Sequence, residues 1–202
     1  MKKFGTAIIL AGGKSSRMGF DKQLLKINER SLMDRMIQKL NREFEEIIIV
    51  TNKPELYIGL SHKITKDILK DMGALGGIHA GLSHSSSSLA FVAACDMPNI
   101  NMEYVRYLKD RLNDNNSLGC VTEFGDWIEP FCSFYSVELI KNIEKYLESG
   151  RRSVHGLIKD VDVDHIEERD ARKFSPNWDM FLNLNTKEDL SKFLLNAGGW
   201  SS

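Results

Sequence analysis

The chain has 202 residues, 42% of them hydrophobic, a length near that of one domain and a composition that excludes intrinsic disorder. Lys and Arg number 27 and Asp and Glu 28, a net charge of −1. Such a balance provides no broad positive field, so neither a nucleic-acid nor a membrane partner is expected; a local basic pocket for a small phosphorylated ligand remains compatible with it. No apolar run approaches the roughly 18 residues of a membrane span. The three cysteines, Cys95, Cys120 and Cys132, are widely spaced and odd in number. They form neither a disulfide framework nor a CxxC metal site, and a reducing, cytoplasmic setting is expected.

The N-terminal string MKKFGTAIILAGG imitates a signal peptide. Its apolar patch is too short and runs into Gly, Lys and Arg, so a buried first strand is predicted instead. Three uninterrupted apolar runs follow this pattern: Ala7-Ile-Ile-Leu10, Ile47-Ile-Ile-Val50 and Leu89-Ala-Phe-Val-Ala-Ala94. Strands buried on both faces read this way, and they belong to mostly parallel sheets covered by helices. Helical stripes lie between and after them. Leu32, Met33, Met36, Ile37 and Leu40 share one face, with Ser31 as N-cap and Asp34 three residues on. The Ser85–Ser88 run is a loop. Asn101 caps a second helix with Val105, Leu108 and Leu112 on its stripe. Leu139, Ile140, Ile143 and Leu147 mark a third. Thr186 and Asp189 form a capping box for the last helix, with Leu190, Phe193 and Leu194 as its buried face.

The second half also carries strands. Residues 118–122 and 127–136 are predicted to form a hairpin around Gly125 and Asp126, and Asp160–Asp164 alternates as a strand with one wet face. The fold class is therefore α/β, a three-layer α/β/α domain whose mostly parallel sheet has an antiparallel extension. No internal repeat and no dividing linker is evident, so residues 1–202 are read as one domain with a frayed tail at 198–202.

Chemistry concentrates after the first strand, in Leu10-Ala-Gly-Gly-Lys-Ser-Ser-Arg-Met-Gly-Phe-Asp-Lys22. Ligands of open α/β sheets bind beyond the carboxyl ends of the strands. Adjacent glycines there let backbone N–H groups approach an anion, and Lys14, Arg17 and Lys22 add cations. The spacing matches neither G-x-G-x-x-G nor a P-loop, whose first glycine falls on Ile8. Alone, the loop reads equally as a glycine turn with solvated cations. A second feature, Cys95-Asp96-Met97-Pro98, ends the third run and puts a hard carboxylate at the same sheet edge, suited to Mg²⁺. A third segment, Thr65–Gly77, carries Asp67 and a glycine cluster that permits a chain reversal. The five histidines show no metal-ligand spacing.

Together the LAGGKSSRMGFDK string, the Asp67–Gly77 segment and CDMP resemble the molybdenum cofactor guanylyltransferases, within the nucleotidyltransferases of glycosyltransferase-A-like, Rossmann-like fold. Glu129-Pro130, Gly150-Arg-Arg152 and Asn183-Leu-Asn185-Thr186 extend the resemblance over nearly the whole chain. It implies transfer of GMP from GTP to the terminal phosphate of molybdenum–molybdopterin, with pyrophosphate released and Mg²⁺ as cofactor. It implies that Leu10, Ala11, Gly12 and Gly13 cradle the nucleotide and that Arg17 and Lys22 contact the triphosphate. Asn52 and Asp67 contact the nucleotide, and Asp96 binds both metal and nucleotide. Asn183 and Asn185 approach the metal or second substrate. Arg17, Lys22 and Asp96 are the catalytic set. Arg151 and Arg152 either meet the pterin phosphate or are solvated at a helix start. Residues 1–100 form a nucleotide-binding half and 101–197 a second-substrate half. Cofactor-delivery proteins and apo-molybdoenzymes are the implied partners. Two alternatives stay open: a cytidylyl- or sugar-phosphate nucleotidyltransferase of the same fold, and a non-catalytic nucleotide-binding module in cofactor delivery.

Overall fold

The computed structural model describes residues 1–12, 26, 27 and 30–196. Gly13, Lys14, Arg17 and Lys22, and the tail at 198–202, lie outside the described residues. The three apolar runs form strands β1 (Thr6–Leu10), β4 (Glu46–Val50) and β6 (Leu89–Ala94). A short hairpin joins β2 (Lys26–Ile27) and β3 (Arg30–Ser31). The main sheet continues with β5 (Lys63–Thr65), β7 (Gly119–Phe124), β8 (Trp127–Ser136) and β9 (Asp164–Ile166). Its order is β5-β4-β1-β6-β8-β7-β9. Strand β8 is antiparallel to β6 and β7, and every other described pairing in this sheet is parallel. The first expectation is met: a mostly parallel sheet with one reversed strand.

Successive residues of β1 feed opposite layers, as strand geometry requires. Ala7 and Ile9 join a core with α1 (Leu32–Leu40) and α3 (Met102–Asn113). Ile8 and Leu10 join a second core with α2 (Gly73–Ser83), α4 (Leu139–Glu148) and α5 (Val154–Ile158). Two helical layers thus sandwich the sheet. Aromatic stacking tightens the first core, where Phe91 lies 5.6 Å from Phe44 and 5.3 Å from Phe134.

The helix signals hold at the level of single hydrogen bonds. Ser31 Oγ accepts from Asp34 N at 3.0 Å, and Ser31 N donates to Asp34 Oδ2 at 3.2 Å. The five predicted stripe residues are the buried ones of α1. Asn101 Oδ1 accepts from Glu103 N and Tyr104 N at 2.9 and 3.1 Å. Asp189 N donates to Thr186 Oγ1 at 3.0 Å, and Thr186 N to Asp189 Oδ2 at 2.8 Å, opening the last described helix, Lys187–Asn196. Leu190 and Phe193 are only partly buried, against Leu32 and Leu184, and the side chain of Leu194 lies outside the described residues.

One strand is corrected. Asp160–Val163 is turn and coil, and β9 begins at Asp164. The alternation there reflects partial packing of Val161 and burial of Val163 against the α4–α5 core, not ladder pairing. The ladder starts where Cys120 reaches Asp164, just after Leu118 N bonds Asp162 O at 2.9 Å. The hairpin is as expected: Gly125 takes φ +58° in the two-residue turn, a conformation that suits glycine.

Helix α2 shows why its glycines are there. A Cβ at Gly81 would stand 2.5 Å from Ile8 Cγ2, and one at Gly77 would stand 3.2 Å from Leu10 Cδ2. Each glycine weakens an isolated helix by about 1 kcal/mol. Here their absent side chains let α2 lie directly on β1, at the end of the strand where the glycine loop begins.

Candidate nucleotide and transfer site

The carboxyl edge of the parallel strands gathers the predicted residues in two groups. The first lies where β1, β4 and β5 end. Ladder bonding continues past β1: Ala11 N donates to Val50 O at 2.8 Å and Cys95 N to Leu10 O at 3.0 Å. The Leu10–Gly12 backbone is thereby fixed between its two neighbouring strands. A Cβ at Gly12 would meet nothing within 4 Å among the described residues. Across the edge, Asn52 Nδ2 donates to Asp67 Oδ2 at 2.8 Å. The Cβ position of Gly77 lies 3.2 Å from Leu10 Cδ2 and 3.8 Å from Asp67 Oδ1, which places Leu10 and Asp67 around one point. A shallow cavity of about 210 Å³ opens there, lined by Asn52, Lys66, Asp67, Lys70 and Asp71. Helix α2 starts beside it with no side-chain cap on its first amides. Asp71 takes φ +59°, a left-handed conformation that is uncommon outside glycine.

The second group surrounds Asp96. The chain turns after β6 through Met97 N to Ala94 O at 3.1 Å, leaving Asp96 partly exposed at the rim. Its carbonyl accepts from Leu184 N at 2.9 Å, which fastens the Asn183–Asn185 segment alongside. Asn183 Nδ2 donates to Phe181 O at 3.0 Å. Asn185 N donates to Asp189 Oδ2 at 3.0 Å, so the last helix cap also anchors this segment. Cys95 and Asp96 are consecutive, and the bond from Cys95 N to Leu10 O makes the two groups neighbours.

Leu10, Ala11, Gly12, Asn52 and Asp67 are therefore brought together, as are Asp96, Asn183 and Asn185. The arginine pair makes surface contacts of its own. Arg151 pairs with Asp160 at 2.7 Å and lies 4.0 Å over the Tyr146 ring, within the scaffold. Arg152 Nη1 donates to Asp71 O at 3.2 Å, tying the α4–α5 connection to the loop before α2. The histidines include His79, buried on α2 with Nε2 3.1 Å from Glu144 Oε1.

Some of the site's supports went unmarked by sequence reading. Lys66, Lys70 and Asp71 line the cavity but sit in a segment of ordinary polar composition. Glu129, which the resemblance already includes, is half-buried on β8, and burial raises its pKa while Trp178 opposes the rise. Trp178 sits in a Ser-Pro-Asn-Trp loop, and only its large ring in a polar stretch hints at packing.

As regards a divalent ion, no three His, Cys, Asp or Glu side chains converge among the described residues. Mg²⁺ needs no such cage: it keeps several waters and takes one or two carboxylates together with substrate phosphates. The hard oxygen of Asp96, with the Asn183–Asn185 segment bonded to its backbone through Leu184 N, fits that habit.

A three-layer fold with an open backbone cradle and an acidic strand end at one edge defines the class of nucleotide-handling α/β transferases. Comparison with known proteins narrows it. Residues 7–165 match the model of the MobA-like NTP transferase domain, and the chain belongs to that family of nucleotidyltransferases. It is 48% identical over 197 residues to the molybdenum cofactor guanylyltransferase of Syntrophotalea carbinolica, covering 98% of this chain and 94% of that one. The crystal structure of molybdopterin-guanine dinucleotide biosynthesis protein A from Archaeoglobus fulgidus shares the fold at a TM-score of 0.85 and 22% identity, covering 96% of this chain and 100% of that one. The 4-diphosphocytidyl-2C-methyl-D-erythritol synthase of Anaerococcus prevotii shares it at a TM-score of 0.67 and 18% identity, covering 96% of each chain. No described helix is long and apolar enough to cross a membrane.

Proposed function

We propose that the protein transfers GMP from GTP to the terminal phosphate of molybdenum–molybdopterin, giving the guanine dinucleotide cofactor and pyrophosphate. The observation that carries this reading is the joining of two groups at one sheet edge, the Leu10–Asn52–Asp67 group and the Asp96–Asn183–Asn185 group. They occur in a chain nearly half identical to a named guanylyltransferase.

The incoming phosphate monoester has a second pKa near 6, so it is largely dianionic at neutral pH. No side chain need deprotonate it. The obstacle is the approach of one anion to another and the departure of a third. Leu10, Ala11, Gly12 and Gly13 hold the nucleotide through backbone groups, with Asn52 and Asp67 as polar contacts. Lys22 and Arg17 offset charge on the triphosphate, the arginine by forking onto two oxygens. Asp96 would hold Mg²⁺, which when bound neutralises charge on phosphate oxygens. Asn183 and Asn185 orient the second substrate. Residues 1–100 then serve the nucleotide and 101–197 the pterin, within one domain of residues 1–202 whose tail at 198–202 is frayed. Delivery proteins and apo-molybdoenzymes in the cytoplasm would receive the product.

The test is incubation with Mg²⁺, molybdopterin and GTP or CTP, followed by detection of the dinucleotide. Guanine dinucleotide is expected, together with a larger thermal stabilisation by GTP than by CTP, since a ligand that binds only the native state stabilises it. Product from CTP and none from GTP would overturn the reading.

A further inference from the structure

Among the described residues three non-glycine residues take left-handed backbone conformations: Asp71, Cys132 and Trp178. Asp71 lines the nucleotide cavity. Cys132 lies on β8, its Sγ 3.9 Å from the carbonyl of Met180, two residues after Trp178. Trp178 is the most unusual of the three, because φ +66° crowds a bulky side chain. Such strain persists only where the surroundings over-determine it, and a glycine there would relieve it.

The surroundings of Trp178 lead to the transfer site in short steps. Its indole packs 4.9 Å from the Phe124 ring and 4.7 Å from the Phe181 ring, and the Arg172 guanidinium lies 5.1 Å over it. Its carbonyl accepts from Phe181 N at 3.1 Å. The Phe181 carbonyl in turn accepts the side-chain amide of Asn183 at 3.0 Å, and the next residue, Leu184, bonds Asp96 O. With one Nδ2 hydrogen used in this way, the carboxamide is oriented, and Oδ1 and the second N–H are the groups it can offer a ligand. One side chain thus ties the end of the β7–β8 hairpin to the segment that carries both asparagines.

We propose that Trp178 is a positioning residue for the second substrate: its ring fixes Phe181, and Phe181 sets the orientation of the Asn183 carboxamide beside Asp96. This rests on the reading of Asn183 as a second-substrate contact, and it names a residue that acts through Asn183 without touching substrate. The nucleotide group, on the far side of β6, is outside its reach.

Trp178→Gly keeps the left-handed backbone without strain and removes the ring, whereas Trp178→Phe keeps a ring. Two readouts separate the proposal from the functional reading on which it rests. The first, independent of turnover, is solvent exchange of the Asn183 side-chain amide by NMR, assigned with Asn183→Asp. Exchange should quicken in Trp178→Gly and return toward wild type in Trp178→Phe. Unchanged exchange in Trp178→Gly would overturn the proposal. The second is steady-state kinetics. Trp178→Gly should raise KM for molybdopterin or lower kcat by roughly tenfold, as expected when a reacting group is misplaced. Its KM for GTP and its stabilisation by Mg²⁺–GTP should stay at the wild-type level, with Trp178→Phe recovering most of the loss. An equal loss of GTP response would also overturn it, by making the ring a support of the whole fold. A wild-type protein that makes no dinucleotide would sink the functional reading, while the amide exchange would still decide the linkage from Trp178 to Asn183.

Discussion

On the β1, β4 and α2 side of Asp96, the site is made of backbone, glycine and two small polar side chains in direct contact. On the β7 and β8 side it is made of rings, a bulged strand and a loop fastened from a distance. The first side acquires its shape from regular ladders: Ala11 N to Val50 O and Cys95 N to Leu10 O extend the parallel pairing to the rim. The second acquires it from single contacts such as Trp178 on Phe181 and Leu184 N on Asp96 O. A ladder tolerates the loss of one contact, since its neighbours hold the register. A chain of single contacts does not, and a change anywhere along it reaches the end.

The largest expected effect lies where the two sides meet. Asp96→Asn should lower turnover by about 10²–10³, the usual loss of a preorganised charge contact. Lys22→Ala should do the same. Both should keep melting temperatures near wild type, and undiminished pyrophosphate release by either variant would remove it from the catalytic set.

Next in size is a test of the regular side. Gly81→Ala gains about 1 kcal/mol of helix propensity but drives a methyl group against Ile8, which is fully buried. Overpacking of a tight core costs about 1–3 kcal/mol, so a net loss of roughly 1 kcal/mol is expected in urea unfolding. A more stable Gly81→Ala would show that α2 can lift off β1, and the closeness argued for this side would fail.

Asn52 and Asp67 sharpen the comparison further. Their 2.8 Å bond makes them one unit. Asn52→Ala and Asp67→Ala should each raise KM for GTP several-fold, and the double variant should be little worse than either single one. A coupling of about 1 kcal/mol in the double-mutant cycle is the expected value. Additive effects would mean that the two act separately.

The smallest effect serves as a control far from the rim. Burial would raise the pKa of Glu46, yet hydrogen bonds from Ser86 N, Thr6 Oγ1 and Ser86 Oγ hold it below its ordinary 4.5. A carboxylate with a lowered folded pKa contributes stability above its unfolded value and loses it as pH falls through the folded one. Glu46→Gln should therefore be slightly less stable at neutral pH, and the difference should shrink below about pH 4.5. Kinetics should not change.

The two sides also differ in how much of them could be read from sequence. Strands β1, β4 and β6 were evident because burial on both faces demands continuous apolar runs. The Ser31, Asn101 and Thr186 caps were evident because capping is local chemistry. The pairing of Asn52 with Asp67 needed the short strand β5, whose Lys-Ile-Thr carries no such signature, to bring residue 67 back beside residue 52. Asp160–Asp164 alternates without being a strand, because a chain packing one side against a core produces the same pattern as a ladder. The fastening of Asn183 and Asn185 to Asp96 joins segments nearly ninety positions apart through a backbone bond, which side-chain identity does not encode. The resemblance placed those asparagines; the rings that hold them had no motif.

Strand β6 is hydrogen-bonded along both edges, to β1 through Ala94 and to β8 through Val92. Among the described residues, the sheet therefore has no crease between these strands. On the proposed function, the two substrates would then be spaced by neighbouring strand ends, and adjustment on binding would fall to loops.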